Sequence, residues 1–317
     1  MTPFGRALAA VLLLAGLFAQ GNPATASSLL EQPRYSAFLA DADTGEILYA
    51  RRADSERFPA SITKVMTLYM VFERLAAGTI RLDDRVVMSR YAASQRPSKL
   101  GLKPGESLTV DQAIRSLATK SANDVSVALA EHVAGSEAEF ARLMTLRARQ
   151  LGMTSSRFVN PHGLPDSRQV TTARDIYTLS RAVIRDFPQY YAYFQQQQFA
   201  FGNRVMPNHN HLLRTTPGVD GIKTGFTNAA GFTLAASAVR DGRRLIAVVL
   251  GGPTRVARDA NVESLLSAGF SVLAARDRGR QIQVADMLAE PGDLNDAVLR
   301  ELVEQGSADP GPAPRRN

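Results

Sequence analysis

A serine and a lysine in the stretch PASITKVMT, residues 59–67, have the types and spacing that nucleophilic catalysis requires. Ser61 and Lys64 are three residues apart, so they share one face if this segment is helical. A serine hydroxyl is a weak nucleophile until a base takes its proton. Lysine becomes that base only when burial or a second cation lowers its pKa from about 10.4. The alternative is an ordinary surface lysine that follows a serine by chance.

Two further triplets help to decide between these interpretations. With 22 serines and 5 lysines in the chain, about 0.35 S-x-x-K matches are expected by chance. The SAN triplet at 121–123 is also weak alone, but the KTG triplet at 223–225 has a chance expectation of about 0.02. Finding all three together is a coincidence of roughly half a per cent. We therefore treat the three motifs as parts of one site.

The elements that carry these motifs can be read from the apolar patterns. The stretch SITKVMTLYMVFERLAAG has apolar residues too densely spaced for a one-sided stripe, which predicts a largely buried helix that ends at Gly78. Thr109 and Gln112 form a capping box that opens a helix through about Thr119. A break at KSAND separates it from a second helix, so the SAN side chains can turn into a cleft. The segment 137–151 and TTARDIYTLSRAVIRDF are also helical, and the long aperiodic loop 152–170 lies between them.

Strand patterns lie at both ends of this helical region. Residues 35–53 form a hairpin, and after GVDGIKTGF come GFTLAASAV and RLIAVVLGG, joined by a D-G turn. A last helix is expected at about 259–275. Strands at the two ends of one long chain most simply pair in a single antiparallel sheet with the helices inserted between them, which is an α+β architecture.

The order S-x-x-K, S-x-N, K-T-G follows the signature shared by class A β-lactamases and penicillin-binding proteins. Over about residues 33–275 the chain resembles the low-molecular-weight penicillin-binding proteins that act as serine-type D-alanyl-D-alanine carboxypeptidases. The likeness extends to the blocks FPASITKVMT, KSANDVSVALAEHVAGS, LGMTSSRFVNPHGL and GVDGIKTGFTNAAGFTLAASA. It implies a β-lactamase/transpeptidase-like α+β fold, in which an antiparallel sheet is flanked by helices and accompanied by an all-helical subdomain.

The resemblance also implies a role for each motif residue. Ser61 is the acylated nucleophile, Lys64 is the base for acylation, and Ser121 completes the catalytic group. The implied substrate-binding residues are Asn123, Lys223, Thr224, Gly225, Phe226 and Arg258. In the family, the lysine and threonine of K-T-G receive the substrate's terminal carboxylate or hold the charge of the proton network. The implied oxyanion hole uses the backbone N–H groups of Ser61 and Phe226.

The resemblance implies an enzyme that removes the terminal D-Ala from peptidoglycan pentapeptides through an acyl-serine intermediate and that penicillin acylates. Class A β-lactamases use a loop glutamate for deacylation, but no glutamate occurs between Glu139 and Glu263. Ala122 also departs from the aspartate of the lactamase triplet. Asp166 is either a substitute base or a turn residue after Pro165. The alternatives are a DD-endopeptidase that cleaves cross-links and a catalytically weak peptidoglycan-binding protein.

The N-terminus predicts export. Arg6 precedes an apolar stretch at 7–19, and Ala24-Thr25-Ala26 fits the A-x-A cleavage pattern of a secretory signal peptide. We expect a signal peptide at 1–26, a catalytic domain at 27–275, and a tail at 276–317 with a short helix and a disordered end. The destination is the periplasm or cell envelope. The chain has no cysteine, which excludes disulfides and thiol catalysis.

The sequence gives little support for nucleic acid, membrane or metal as a partner. The net charge is +7, yet there is no basic run or aromatic-plus-basic platform of the kind that binds nucleic acid. The helix at 294–306 carries mostly acids on its polar face, which argues against membrane attachment. His209 and His211 would share a face of a strand, but a metal site needs a third ligand, so we expect neither metal nor cofactor. His162 either contacts substrate or caps a turn. The expected partners are peptidoglycan stem peptides and β-lactam antibiotics.

Overall fold

The computed structural model describes residues 34–288; the expected signal peptide at 1–26 and the tail helix at 294–306 lie outside them. The strands of this part are β1 Ser36–Asp41, β2 Ile47–Arg51, β3 Arg85–Val87, β4 Ser107–Thr109, β5 Gln198–Phe201, β6 Arg204–Pro207, β7 Val219–Thr227, β8 Gly231–Arg240 and β9 Arg243–Gly252. The α-helices are α1 Thr63–Ala76, α2 Arg90–Ala93, α3 Val110–Ala118, α4 Asn123–Ala134, α5 Glu137–Gln150, α6 Ala173–Asp186, α7 Leu212–Thr215 and α8 Arg255–Arg276.

The main sheet joins strands from both ends of the chain, as the sequence predicts. Its order is β2-β1-β9-β8-β7, and each neighbouring pair is antiparallel. Asp241 and Gly242 connect β8 to β9 with φ of 50° and 75°. Both residues are therefore left-handed, as a two-residue type I′ turn requires, and this explains the D-G step. Strand β7 lies at one edge of the sheet and contains the KTG triplet.

The sheet is covered by helices on both faces, and β9 shows the division. Leu245, Ala247 and Val249 pack with residues of α8 in one core. The alternate residues Ile246 and Val248 belong to the core on the other face, with α1, α6 and the helical region. This period of two is what a strand buried on both faces produces, because successive side chains point to opposite sides.

Helix α1 lies in the core that contains Ile246 and Val248. Every residue from Thr63 to Phe72 is buried, so the dense apolar pattern is explained by burial on all sides of its first ten residues. The helix ends before Gly78, whose φ is 67°, as predicted. Downstream, Thr109 and Gln112 make the reciprocal hydrogen bonds of a capping box at the start of α3.

Three features differ from the sequence expectations. Helix α8 begins at Arg255 rather than at about 259, because the side chain of Thr254 accepts a hydrogen bond from Ala257 N and caps it. The strands β3 and β4, and likewise β5 and β6, form small hairpins too short to give a clear pattern. His209 and His211 lie in the turn after β6 rather than on a strand.

No helix within residues 34–288 combines the length and the apolar character needed to cross a bilayer.

Candidate active site

A cleft of about 270 Å³ brings the three motifs together. It lies between the edge strand β7, the turn before α1, and the break between α3 and α4. Seven of the predicted site residues line it: Ser61, Ser121, Asn123, Thr224, Gly225, Phe226 and Arg258. The remaining two, Lys64 and Lys223, are buried, at 0% and 1% exposed. The predicted residues therefore converge on one site, with the two lysines beneath its surface.

Ser61 lies in a short 3-10 turn, Ala60–Ile62, that leads directly into α1. Ala60 has a φ of 47°, an uncommon conformation for a residue with a Cβ. Gly163 packs against the Ala60 carbonyl oxygen with a φ of 88°, and a side chain there would collide with that oxygen. The loop 152–170 thus holds the turn from behind, and this contact fixes the position of the Ser61 hydroxyl at the cleft.

Lys64 is held by three oxygen atoms. Its Nζ lies 3.1 Å from Ser61 Oγ, 2.7 Å from Asn123 Oδ1 and 2.6 Å from the His162 carbonyl oxygen. A charged ammonium can donate to all three. A neutral amine can donate to Asn123 and His162, and its lone pair then faces the Ser61 hydroxyl. The same geometry therefore supports both protonation states of a general base.

Two causes make the neutral state of Lys64 accessible. Complete burial and the nearby charge of Lys223 lower the pKa of Lys64 well below its ordinary value, while Asp124 opposes the shift. Asp124 itself is buried and accepts hydrogen bonds from the backbone N–H groups of Leu100 and Gly101. Lys64 is therefore a buried lysine beside Ser61, as a catalytic base requires, and not an ordinary surface lysine.

The SAN triplet forms the opposite wall. Ser121 has a φ of 62°, a left-handed conformation that turns the chain between α3 and α4. Its Oγ is buried and has no hydrogen-bond partner among residues 34–288. Asn123 begins α4, and its Nδ2 donates to Arg96 O at 2.9 Å, which fixes Oδ1 toward Lys64. The triplet thus supplies the amide of Asn123, which is already hydrogen-bonded on both sides, and the hydroxyl of Ser121, which has no partner among the described residues.

The KTG triplet lies on the free edge of the sheet. Lys223 Nζ donates to the Thr224 carbonyl at 2.9 Å, and burial together with Arg258 lowers the pKa of Lys223 to about 7. Gly225 is required by a close approach, because a Cβ there would lie 2.7 Å from Ser61 N and 2.6 Å from Thr233 Oγ1. Phe226 is 49% exposed and stacks on Phe232 with a centroid distance of 4.3 Å.

Arg258 projects from the first turns of α8 into this end of the cleft. It is buried, its Nη1 donates to Thr233 O at 2.6 Å, and its Nε lies 2.8 Å from Asp259 Oδ1. Burial lowers the pKa of Arg258 from its ordinary value, and Asp259 opposes that shift. Since an arginine remains charged in proteins, Lys223 and Arg258 give this end of the cleft a positive potential.

The loop 152–170 contributes a residue whose role the sequence leaves open. The side chain of His162 is buried; its Nδ1 accepts from Leu164 N at 3.0 Å and its Nε2 lies 3.1 Å from Glu137 Oε1. Its backbone carbonyl, rather than its ring, reaches the site through Lys64. Asp166 is a turn residue, because its carboxylate accepts from Arg168 N, Nε and Nη2. It does not line the cleft.

The two remaining histidines lie near the mouth of the cleft. His209 lines it, and His211 Nδ1 is 2.7 Å from Arg255 Nη1. In the part of the chain that the structure describes, no three His, Cys, Asp or Glu side chains are grouped as metal ligands.

Comparisons with known proteins agree on one family. A family model described as D-alanyl-D-alanine carboxypeptidase, peptidase S11, matches residues 24–254. The chain is 40% identical over 255 residues to D-alanyl-D-alanine carboxypeptidase DacC of Escherichia coli, covering 77% of this chain and 64% of that protein. It is 35% identical over 263 residues to DacF of Bacillus subtilis, covering 80% and 66%. The chain thus spans just under two thirds of the length of these relatives.

Solved structures are similar over about three quarters of the chain. Penicillin-binding protein 5 of Haemophilus influenzae superposes with a TM-score of 0.72 and 37% identity, covering 74% of this chain and 70% of that one. Penicillin-binding protein D2 of Listeria monocytogenes, in its cefotaxime-bound form, gives a TM-score of 0.68 and 30% identity, covering 74% and 96%. These structures have the β-lactamase/transpeptidase-like fold. The chain therefore belongs to the peptidase S11 family of D-alanyl-D-alanine carboxypeptidases.

Proposed function

We propose that this protein is an exported serine DD-carboxypeptidase that removes the terminal D-Ala from peptidoglycan pentapeptides through an acyl-Ser61 intermediate. The observation that carries the proposal is the buried Lys64 amine within 3.1 Å of Ser61 Oγ, with two further acceptors for its hydrogens. A surface lysine would have neither the burial nor the convergent acceptors. An amine within hydrogen-bond reach of a serine hydroxyl is the arrangement that activates a nucleophilic serine.

The proposed acylation begins when neutral Lys64 takes the proton of Ser61 Oγ. The oxygen then bonds to the carbonyl carbon of the penultimate D-Ala, and the N–H groups of Ser61 and Phe226 stabilise the oxyanion. As the C–N bond breaks, the proton passes to the leaving amine, with the uncommitted Ser121 hydroxyl as the relay. Water then hydrolyses the ester. One oxyanion donor contributes about 2.7–4 kcal/mol in a well-studied hydrolase.

Substrate orientation follows from the charge distribution. The terminal carboxylate is placed by Lys223, Thr224 and Arg258, which form the positive end of the cleft. The peptide on the acyl side lies along β7, since an edge strand presents unpaired backbone groups that a peptide can join. Asn123 faces it from the opposite wall. A β-lactam antibiotic, with its carboxylate beside a reactive carbonyl, fits the same positions.

The remaining assignments of location and domain structure extend this proposal. A signal peptide at 1–26 would direct the enzyme to the periplasm or cell envelope, where peptidoglycan is found. Residues 27–275 would form the catalytic domain; α8 ends next to this limit, at Arg276, although Val284 beyond it still packs in the core that contains α8. The tail at 276–317 is not assigned to membrane attachment, nor is nucleic acid proposed as a partner.

The first prediction tests the activity itself. The protein should release D-Ala from a purified pentapeptide, and Ser61→Ala should reduce release to background, because the nucleophile is lost. Free D-Ala and muropeptide products are measured together. Cleavage of cross-linked dimers without D-Ala release would instead identify a DD-endopeptidase. Neither activity would identify a catalytically weak peptidoglycan-binding protein.

The second prediction concerns pH. The rate constant kcat/KM should rise as Lys64 loses its proton, because the base must be neutral, and fall as Lys223 loses its proton near pH 7, because the carboxylate needs a cation. A bound carboxylate stabilises charged Lys223, so the falling limb of kcat should lie at higher pH than that of kcat/KM. The two limbs are macroscopic values of a coupled lysine pair.

Steady-state rates from pH 5 to 10, a range chosen around the ordinary and shifted lysine values, test this profile. A substrate amidated at its C-terminus is the control and should lack the falling limb of kcat/KM. A kcat/KM for the acid substrate that keeps rising through pH 9 would contradict the role given to Lys223.

A further inference from the structure

Arg255 is a cation at the mouth of the cleft that the proposed reaction does not use. It is the first residue of α8, it is exposed, and it lines the cleft together with Thr224 and Arg258. One helical turn separates it from Arg258, so both lie on the same side of α8. Arg258 forms an ion pair with Asp259 through its Nε, whereas no acid of residues 34–288 forms an ion pair with Arg255.

The guanidinium of Arg255 is held in position by a neighbour. Its Nη1 lies 2.7 Å from His211 Nδ1, and arginine can only donate, so the ring nitrogen accepts. Partial burial, followed by the charge of Arg255, lowers the pKa of His211, which keeps the ring in the neutral form that can accept. The remaining N–H groups of Arg255 are left for a ligand in the cleft. A guanidinium pre-positioned in this way suits a carboxylate, which it can bind through two hydrogen bonds.

At this end, the lining of the cleft includes Arg255, Phe226 and Phe232 as well as the residues assigned to the terminal carboxylate. The lining runs from Ser61 and Thr224 to Arg255 and His209, and the Phe226–Phe232 pair borders it. D-Alanine brings a methyl group and one carboxylate, which Lys223, Thr224 and Arg258 already accommodate. A longer acidic side chain on the leaving residue would bring a second carboxylate among these lining residues, which include Arg255.

We propose that Arg255, positioned by His211, binds a second carboxylate on the leaving group. The preferred substrates would then include peptides whose leaving D-residue carries a side-chain carboxylate or is part of a longer acidic peptide. This inference rests on the proposed function, because it takes the Lys223–Arg258 end as the leaving-group side. It identifies Arg255 as a specificity-determining residue, with no part in the proton transfers.

Binding to the Ser61→Ala protein tests the inference without turnover. Calorimetry would measure Kd for three peptides of one acyl group ending in D-Ala-D-Glu, D-Ala-D-Gln and D-Ala-D-Ala. The D-Glu peptide should bind about tenfold more tightly than its neutral isostere D-Gln. In Ser61→Ala/Arg255→Gln the ratio should fall to about one, while the Kd for D-Ala-D-Ala stays unchanged. Ser61→Ala/Arg149→Gln, which removes an exposed arginine of α5, should keep the ratio.

The results that would contradict the role of Arg255 differ from those that would contradict the proposed activity. Equal Kd values for the D-Glu and D-Gln peptides in Ser61→Ala, or no binding of any of the three, would overturn the inference. Equal weakening of all three by Arg255→Gln would place Arg255 in the terminal-carboxylate site instead, which also overturns it. Failure of the wild-type protein to release D-Ala would overturn the proposed activity but would leave the measured D-Glu to D-Gln ratio intact.

Discussion

Replacement of Lys64 by Met is expected to slow acylation of Ser61 by penicillin by roughly 10²–10⁴-fold, the usual range for loss of a general base. Methionine is also unbranched and flexible, so it can occupy the buried channel of Lys64. The substitution leaves Asn123 Oδ1 and the His162 carbonyl without their donor, at a cost of about 1–3 kcal/mol each. Removal of a fully buried amine, whose charged form is costly to desolvate, opposes that cost, so the fold should persist.

Stopped-flow or quenched acylation with labelled penicillin measures the rate, and thermal unfolding measures the fold. Lys103→Met is the matched control, because Lys103 is exposed and lies outside the cleft; its acylation rate should equal that of the wild type. A folded Lys64→Met protein that reacts with penicillin at the normal rate would remove Lys64 from the mechanism.

The penicilloyl adduct on Ser61 is expected to persist for minutes or longer after free antibiotic is removed. Class A β-lactamases remove the penicilloyl group with a loop glutamate that activates water, and the loop 152–170 contains no glutamate. Its one aspartate, Asp166, is engaged by Arg168, and that pairing and its hydrogen bonds lower the pKa of Asp166 to about 2. A carboxylate of such low basicity outside the cleft is a poor base for a water beside Ser61.

The decay of the adduct is followed by intact-protein mass spectrometry after gel filtration. The lifetime of the adduct should be unchanged in Asp166→Asn, because Asp166 lies outside the cleft. A return to the unmodified mass within seconds would favour a β-lactamase, and a longer lifetime in Asp166→Asn would make Asp166 the missing base.

Much of the architecture can be predicted from short stretches of sequence, because the interactions that form these elements involve neighbouring residues. The capping box at Thr109 and Gln112 and the D-G turn at residues 241–242 each satisfy their own backbone groups, so a few residues define each one. The dense apolar pattern of α1 predicts burial, and burial is what lowers the pKa of Lys64. The strand patterns before and after the helical region then predict a single antiparallel sheet.

Other parts of the site depend on contacts between distant segments and cannot be read in this way. One acceptor for Lys64 Nζ is the backbone carbonyl of His162, which is 98 residues away in the sequence. Any residue type could supply such a carbonyl. The close approach of Gly225 to Ser61 N is visible only once β7 is docked. The placement of Arg255 beside His211 depends on Thr254 capping α8 earlier than the apolar pattern indicates.

The central claim is that Ser61 is the acylated nucleophile, and peptide mapping after penicillin exposure tests it most directly. The wild-type protein should gain the mass of one penicillin, and the added mass should lie on the proteolytic fragment that contains Ser61. Ser61→Ala should remain unmodified under the same conditions. An adduct on any other residue, or an adduct of equal yield in Ser61→Ala, would contradict the account.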